Sequence, residues 1–145
     1  MLAAFGQALG LLLCCAFPVG VVLLAVFARR RRDKRLAEHW RELQARRALA
    51  GDEAAVAVVE RVYQRARRGA KAVIRWQETG DHQDTWFKGR HPAPGSVLLL
   101  RGSTGWGPHN RNPNTYYVNP GDLLYSAPSG TIAAARRQRR RDAQK

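Results

Sequence analysis

The sequence predicts an N-terminal transmembrane helix joined to a small mainly-β domain, an SH3-like or OB-like barrel or sandwich of five or six strands. Three observations carry this. Residues 2–28 contain no Lys, Arg, Asp or Glu. Between residues 54 and 128, short β-branched and aromatic runs alternate with Gly, Pro and Asn clusters. Most of the net charge of +14 lies outside that stretch, on a juxtamembrane segment and a C-terminal tail.

From Leu2 to Ala28 the only strongly polar side chain is Gln7. At about 1.5 Å per helical residue the run exceeds the roughly 30 Å of a bilayer's hydrocarbon core. A backbone in that environment must satisfy its own polar groups, so a helix is expected, bent near Pro18 and Gly20. A cleavable signal peptide fits less well, because no basic side chain precedes the run and Val26-Phe27-Ala28 is a poor cleavage site. A lipoprotein signal wants a small residue before its cysteine, and Leu13 precedes Cys14. An uncleaved anchor is the best of the three readings. Gly6, Gly10 and Cys14 share one small helix face, the pattern that lets two membrane helices approach, so a homodimer seam is a further expectation.

Orientation follows from Arg29, Arg30, Arg31, Arg32, Lys34 and Arg35, six basic residues in seven. Such charge beside a membrane end stays cytoplasmic. The expected location is the cell membrane, crossed once, with the N-terminus outside and the C-terminal domain in the cytoplasm. The only cysteines, Cys14 and Cys15, are adjacent and inside the apolar run, so residues 29–145 hold no disulfide framework.

Residues 29–50 read as a basic juxtamembrane helix. Leu36, Trp40 and Leu43 form one thin apolar stripe and Gly51 is a natural terminator. The stripe suits a stalk packed on the following domain or on a second copy; a membrane-surface helix is the other reading. Residues 54–78 fit a hairpin, two β-branched runs around Arg67-Arg68-Gly69, although a helix over 54–66 also suits the valines. Further strands are expected over Asp84 to Lys88, Ser96 to Arg101, Thr115 to Val118 and Asp122 to Tyr125. Trp76, Trp86, Phe87, Val97, Leu99, Tyr117 and Leu123 are the core candidates. Residues 129–145 form a basic tail in which Thr131 can cap a helix from Ile132 to about Asp142. With almost no apolar face, that helix is expected to fray until it meets an anionic surface.

Two candidate sites emerge, and a third grouping is set aside. Arg136, Arg137, Arg139, Arg140 and Arg141, with the basic run at 29–35, suit anionic lipid, at about 1 kcal/mol per residue near the surface. Nucleic acid ranks lower as a partner, because eleven of the fourteen net positive charges lie in residues 29–50 and 131–145, and residues 51–130 carry only +3. Second, the Gly- and Asn-rich segment 102–114 could bind an anion or polar ligand through Trp106, His109, Asn110, Arg111 and Asn112. The same residue types are what long turns are made of, and no Gly-Lys-Ser/Thr follows as a P-loop requires. Third, His82, His91 and His109 with Asp81 and Asp84 lack the spacing of a metal site. No pattern calls for a cofactor or a catalytic triad. The functional expectation is a non-enzymatic domain presented to a protein partner at the membrane's inner face. A membrane-tethered nucleic-acid module is the alternative, and a ligand sensor or enzyme using 102–114 a third.

Overall fold

The computed structural model describes residues 2–101 and 115–144, with side chains from Val19 onward. The chain runs through α1 (Leu2–Ala50), a short 3-10 turn (Gly51–Glu53), β1 (Ala54–Ala66), β2 (Gly69–Trp76), β3 (His82–Lys88), β4 (Val97–Arg101), β5 (Thr115–Val118), β6 (Leu123–Ala127) and α2 (Thr131–Asp142). The helix expected over residues 29–50 is the C-terminal part of α1, which continues without a break from the apolar run. It ends where expected, at Gly51, whose φ of 68° turns the chain toward β1.

The expected hairpin at 54–78 is present as β1 and β2, paired antiparallel from Ala57↔Trp76 to Ala66↔Gly69. Val56, Val58, Val59 and Val62 thus take the strand their branching favours. Six strands form one sheet in the order β5-β3-β2-β1-β4-β6, antiparallel except where β3 meets β5. A closed barrel or a two-sheet sandwich is therefore not what forms: the sheet stays open and curls into a half-barrel. The curl has a local cause. The 13-residue β1 carries register shifts between Val59 and Arg61 and between Val62 and Gln64, and such bulges sharpen strand twist. It draws opposite sides of the sheet together, so that the Tyr116 hydroxyl of β5 donates to the Arg101 carbonyl of β4 at 3.1 Å.

Strand alternation gives the sheet two apolar faces. The inner face gathers Ala57, Val59, Ala72, Ile74, Phe87, Leu98, Leu100, Tyr116 and Val118. Trp76 closes it edge-on against Tyr116, with ring centroids 5.7 Å apart. The outer face of β1, β4 and β6 gathers Val56, Val97, Leu99 and Ala127 around Leu43 of α1, with Trp40, Tyr125 and Ile132 at its margin. The apolar stripe of residues 36–43 therefore packs on the domain that follows it. Of the seven core candidates, Phe87, Val97 and Leu99 are buried, whereas Trp76, Trp86, Tyr117 and Leu123 are half-buried. Tyr116, not Tyr117, points inward, because β5 pairs Tyr116 with buried Thr85 and Tyr117 with outward Trp86.

The C-terminal segment departs most from expectation. α2 is docked along α1 through Ala134 and Ala135, both buried. An alanine surface provides little hydrophobic signal in a sequence, yet it lets two helices approach closely. Thr131 does not cap the helix: it lies in the first turn after Gly130, and its hydroxyl donates to the Pro128 carbonyl at 2.7 Å.

Candidate functional site

Asp33 sits inside the basic run of α1, with four arginines before it and Lys34 and Arg35 after it, yet it is only 4% exposed. Arg137 of α2 donates to it through Nη2 (to Oδ1, 2.8 Å) and Nε (to Oδ2, 3.2 Å), and Arg141 Nη2 lies 3.6 Å from Oδ2. The two-pronged guanidinium contact holds the Asp33 carboxyl below its ordinary range, reinforced by the charges of Arg137, Arg141 and Arg29 against the opposing effect of burial. This contact joins residues 104 positions apart and fixes where the C-terminal arginines lie.

Asp33 is five residues beyond Ala28, about 7.5 Å along a helix axis. The α1 surface changes character over that distance. From Val19 to Phe27 the apolar side chains face outward, Leu24 being 71% exposed. Arg31 then lays its guanidinium over the Phe27 ring at 4.5 Å, at the point where apolar surface gives way to charge. Arg29, Arg30, Arg31, Arg32, Lys34 and Arg35 are exposed, and α2 adds exposed Arg136, Arg139, Arg140 and Arg141. The two basic segments singled out in the sequence thus form one collar around the same stretch of α1, with Arg137 and Arg141 engaged by Asp33. Farther along α1, His39 Nδ1 shares a 2.8 Å hydrogen bond with the Tyr125 hydroxyl, and Arg47 pairs with Glu78. These contacts fix the sheet on the side of the collar away from the apolar run.

Among the described residues, no helix is long and apolar enough to cross a membrane. The side chains of residues 2–18, which make up most of the expected anchor and include Gly6, Gly10 and Cys14, lie outside the described residues. So does the whole segment 102–114, with Trp106, His109, Asn110, Arg111 and Asn112. Among the described residues no three His, Cys, Asp or Glu side chains gather as metal ligands. His82 instead lies 3.0 Å from Glu60, which also accepts from Arg75.

The structure assembles two features that the sequence did not mark. One is an open cleft of about 600 Å³ between α2 and the outer face of the sheet, bordered by Arg75, Gln77, Arg136, Arg137 and Arg140. The outward position of Arg75 was readable from the alternation of Val73-Ile74-Arg75-Trp76, but its meeting with α2 depends on the docking of that helix. The other is a cross-strand row on the half of the outer face that the helices leave uncovered. Gln64, Lys71, Trp86 and Tyr117 are successive register partners, all at outward positions. Beside this row Tyr63 donates to Asp84, which also accepts from Thr115 at 3.0 Å.

Fold and site together define a helix-backed, six-stranded half-barrel with a basic collar. No protein-family model matches the chain, and neither a curated protein nor a solved structure matches it.

Proposed function

We propose that this chain is a single-pass membrane protein that holds its half-barrel at the inner face of the membrane for interaction with a protein partner. Residues 2–28 would span the bilayer, with the N-terminus outside and the domain in the cytoplasm. The observation that carries the reading is the Asp33–Arg137 contact. It folds the C-terminal arginines back beside Arg29–Arg35, within about one Debye length of the end of the apolar run. Two basic segments distant in sequence but gathered at one point favour a planar polyanion at that level, and anionic headgroups are the nearest one. At about 1 kcal/mol per basic residue near the surface, such a collar holds the domain in a fixed pose on the bilayer. The half-barrel's uncovered outer face then points to protein rather than lipid.

The test uses full-length protein in nanodiscs. In anionic lipid, tryptic sites within 29–35 and 136–141 are protected relative to neutral lipid, and roughly 0.5 M salt abolishes the difference. Equal cleavage in both lipids refutes the collar's role. A second reading, a membrane-tethered nucleic-acid module, is favoured by the Lys71–Trp86–Tyr117 row, since aromatic side chains beside cations stack on bases. Salt-sensitive binding of oligonucleotides by the protein in neutral nanodiscs, lost in Trp86→Ala, would put that reading first.

A further inference from the structure

We propose that the cleft between α2 and the sheet is a binding site for a phosphate ester whose alcohol part carries free hydroxyl groups. Its floor is apolar, made by Val58, Val97 and Ile132, and its rim is formed by guanidinium groups from two elements. Among the described residues, none that borders it is acidic.

The charges on the rim are unevenly committed. Arg137 gives Nε and Nη2 to Asp33 across the helix pair. Among the described residues Arg75 gives only Nε, to Glu60, which leaves the N–H groups of both terminal nitrogens for another acceptor. Arg136 and Arg140, one turn apart on the same face of α2, make no ion pair among the described residues. Like charges converging on one cleft repel each other, and an anion bound between them removes that repulsion. Guanidinium forks match phosphate oxygens in pairs, which suits a phosphate better than a halide or a single carboxylate.

Gln77 specifies the rest of the ligand. It borders this cleft and a smaller one of about 190 Å³ beside Trp40, Ala135 and Arg139. Its Oε1 is buried and, among the described residues, has no hydrogen-bond partner. A buried acceptor left unmet is unfavourable, and turning the amide toward the cleft, where a ligand hydroxyl donates to its oxygen, relieves the deficit. Arginines for the phosphate, an apolar floor for the carbon skeleton and an amide oxygen for a hydroxyl together describe a phosphoglycerol or phosphoinositol group. The same chemistry occurs on soluble sugar and polyol phosphates and on lipid headgroups. The cleft needs neither source in particular and does not depend on the chain spanning a membrane.

The experiment is a calorimetric titration of full-length protein in neutral detergent micelles. The soluble probes are inorganic phosphate, glycerol 1-phosphate and inositol 1-phosphate; the lipid probe is short-chain phosphatidylglycerol below its micellar concentration. At least one organic phosphate binds more tightly than inorganic phosphate. Arg136→Gln/Arg140→Gln weakens that binding at least tenfold, while Arg30→Gln/Arg32→Gln, of equal charge change on α1, alters it less than twofold. Gln77→Leu lowers affinity for the hydroxylated probes and leaves inorganic phosphate unchanged. Preference for the soluble ester assigns a metabolite, and preference for the lipid assigns a headgroup. Absence of binding by every organic probe overturns the proposal. So does equal weakening by the two double variants, which would make the effect that of a diffuse positive field.

Discussion

Replacing Asp33 by Asn keeps the size of the side chain and one acceptor oxygen while removing the charge that α2 is built around. The carboxylate is nearly buried and receives two charge-assisted hydrogen bonds from Arg137, with Arg141 close by. Bonds of that kind contribute roughly 1.5–3 kcal/mol each when desolvated. The guanidinium side of the pair is 42% exposed, so water screens the contact and competes for it. A net loss of about 1–2 kcal/mol for Asp33→Asn follows once that screening is allowed for. The population in which α2 has left α1 then rises about 5- to 30-fold. Trypsin reads this directly, since α2 supplies its own cleavage sites and cutting tracks the open population when closing is fast. A rate at Arg136–Arg141 that changes less than about twofold would refute the claim that Asp33 holds the helix.

The same contact sets a pH dependence with a definite sign. The folded-state pKa of Asp33 lies below its unfolded value, owing first to the Arg137 hydrogen bond. Its contribution is therefore fully present above the unfolded pKa of about 3.9 and fades as pH falls through the lower folded value. The difference in urea midpoint between the native chain and Asp33→Asn is accordingly constant near neutrality and shrinks in acid. A difference that grew on acidification would contradict this assignment.

Three further outcomes follow from the packing. Leu43→Ala, at a fully buried position between α1 and the sheet, costs about 2–5 kcal/mol in urea denaturation and loosens the helix from the domain. At Gly69 the φ of 148° and the Phe87 carbonyl oxygen leave no room for a Cβ, so Gly69→Ala lowers stability by about 1–3 kcal/mol, read as a lower thermal midpoint. Burial, with Asp122 nearby, pushes the Tyr116 phenol up to about 12, so spectrophotometric titration of Tyr116→Phe matches the native curve until near that pH and loses absorbance change only there.

Much of the fold was legible in the sequence because its strands announce themselves locally. Residues 54–76 alternate β-branched side chains around a glycine-bearing turn, and Thr115–Val118 sits between Asn-Pro clusters, so both were readable without tertiary context. Closure was not. Strand count and spacing are the same for a barrel and for an open curled sheet, and the decision lies in the bulges of β1 and the crossover to β5. The side toward which Tyr116 and Tyr117 point was hidden for a related reason. A one-residue difference in register reverses an edge strand, and the partner of β5 is 31 residues back in the chain.

The site was legible in its parts and not in its assembly. The two arginine-rich segments stand out, but nothing in the C-terminal run shows that Ala134 and Ala135 bury against α1. Asp33 is the one acidic residue in a basic run of seven, and its role appears only when Arg137 is placed beside it. Arg75 lies in β2 and Gln77 just beyond its end, in a segment of no unusual composition. Their relevance comes from α2, which the turn at Ser129 and Gly130 brings opposite them.

The proposal that the domain and its collar lie against the inner face of a membrane crossed by residues 2–28 stands or falls on where the C-terminus lies. The most direct measurement places a single cysteine at Gln144 in a chain whose Cys14 and Cys15 are replaced by serine, and labels it with a membrane-impermeant maleimide. The expected result is a chain retained in carbonate-washed membranes and labelled in inverted vesicles but not in intact cells. Labelling in intact cells, or recovery of the chain in the soluble fraction, would contradict it.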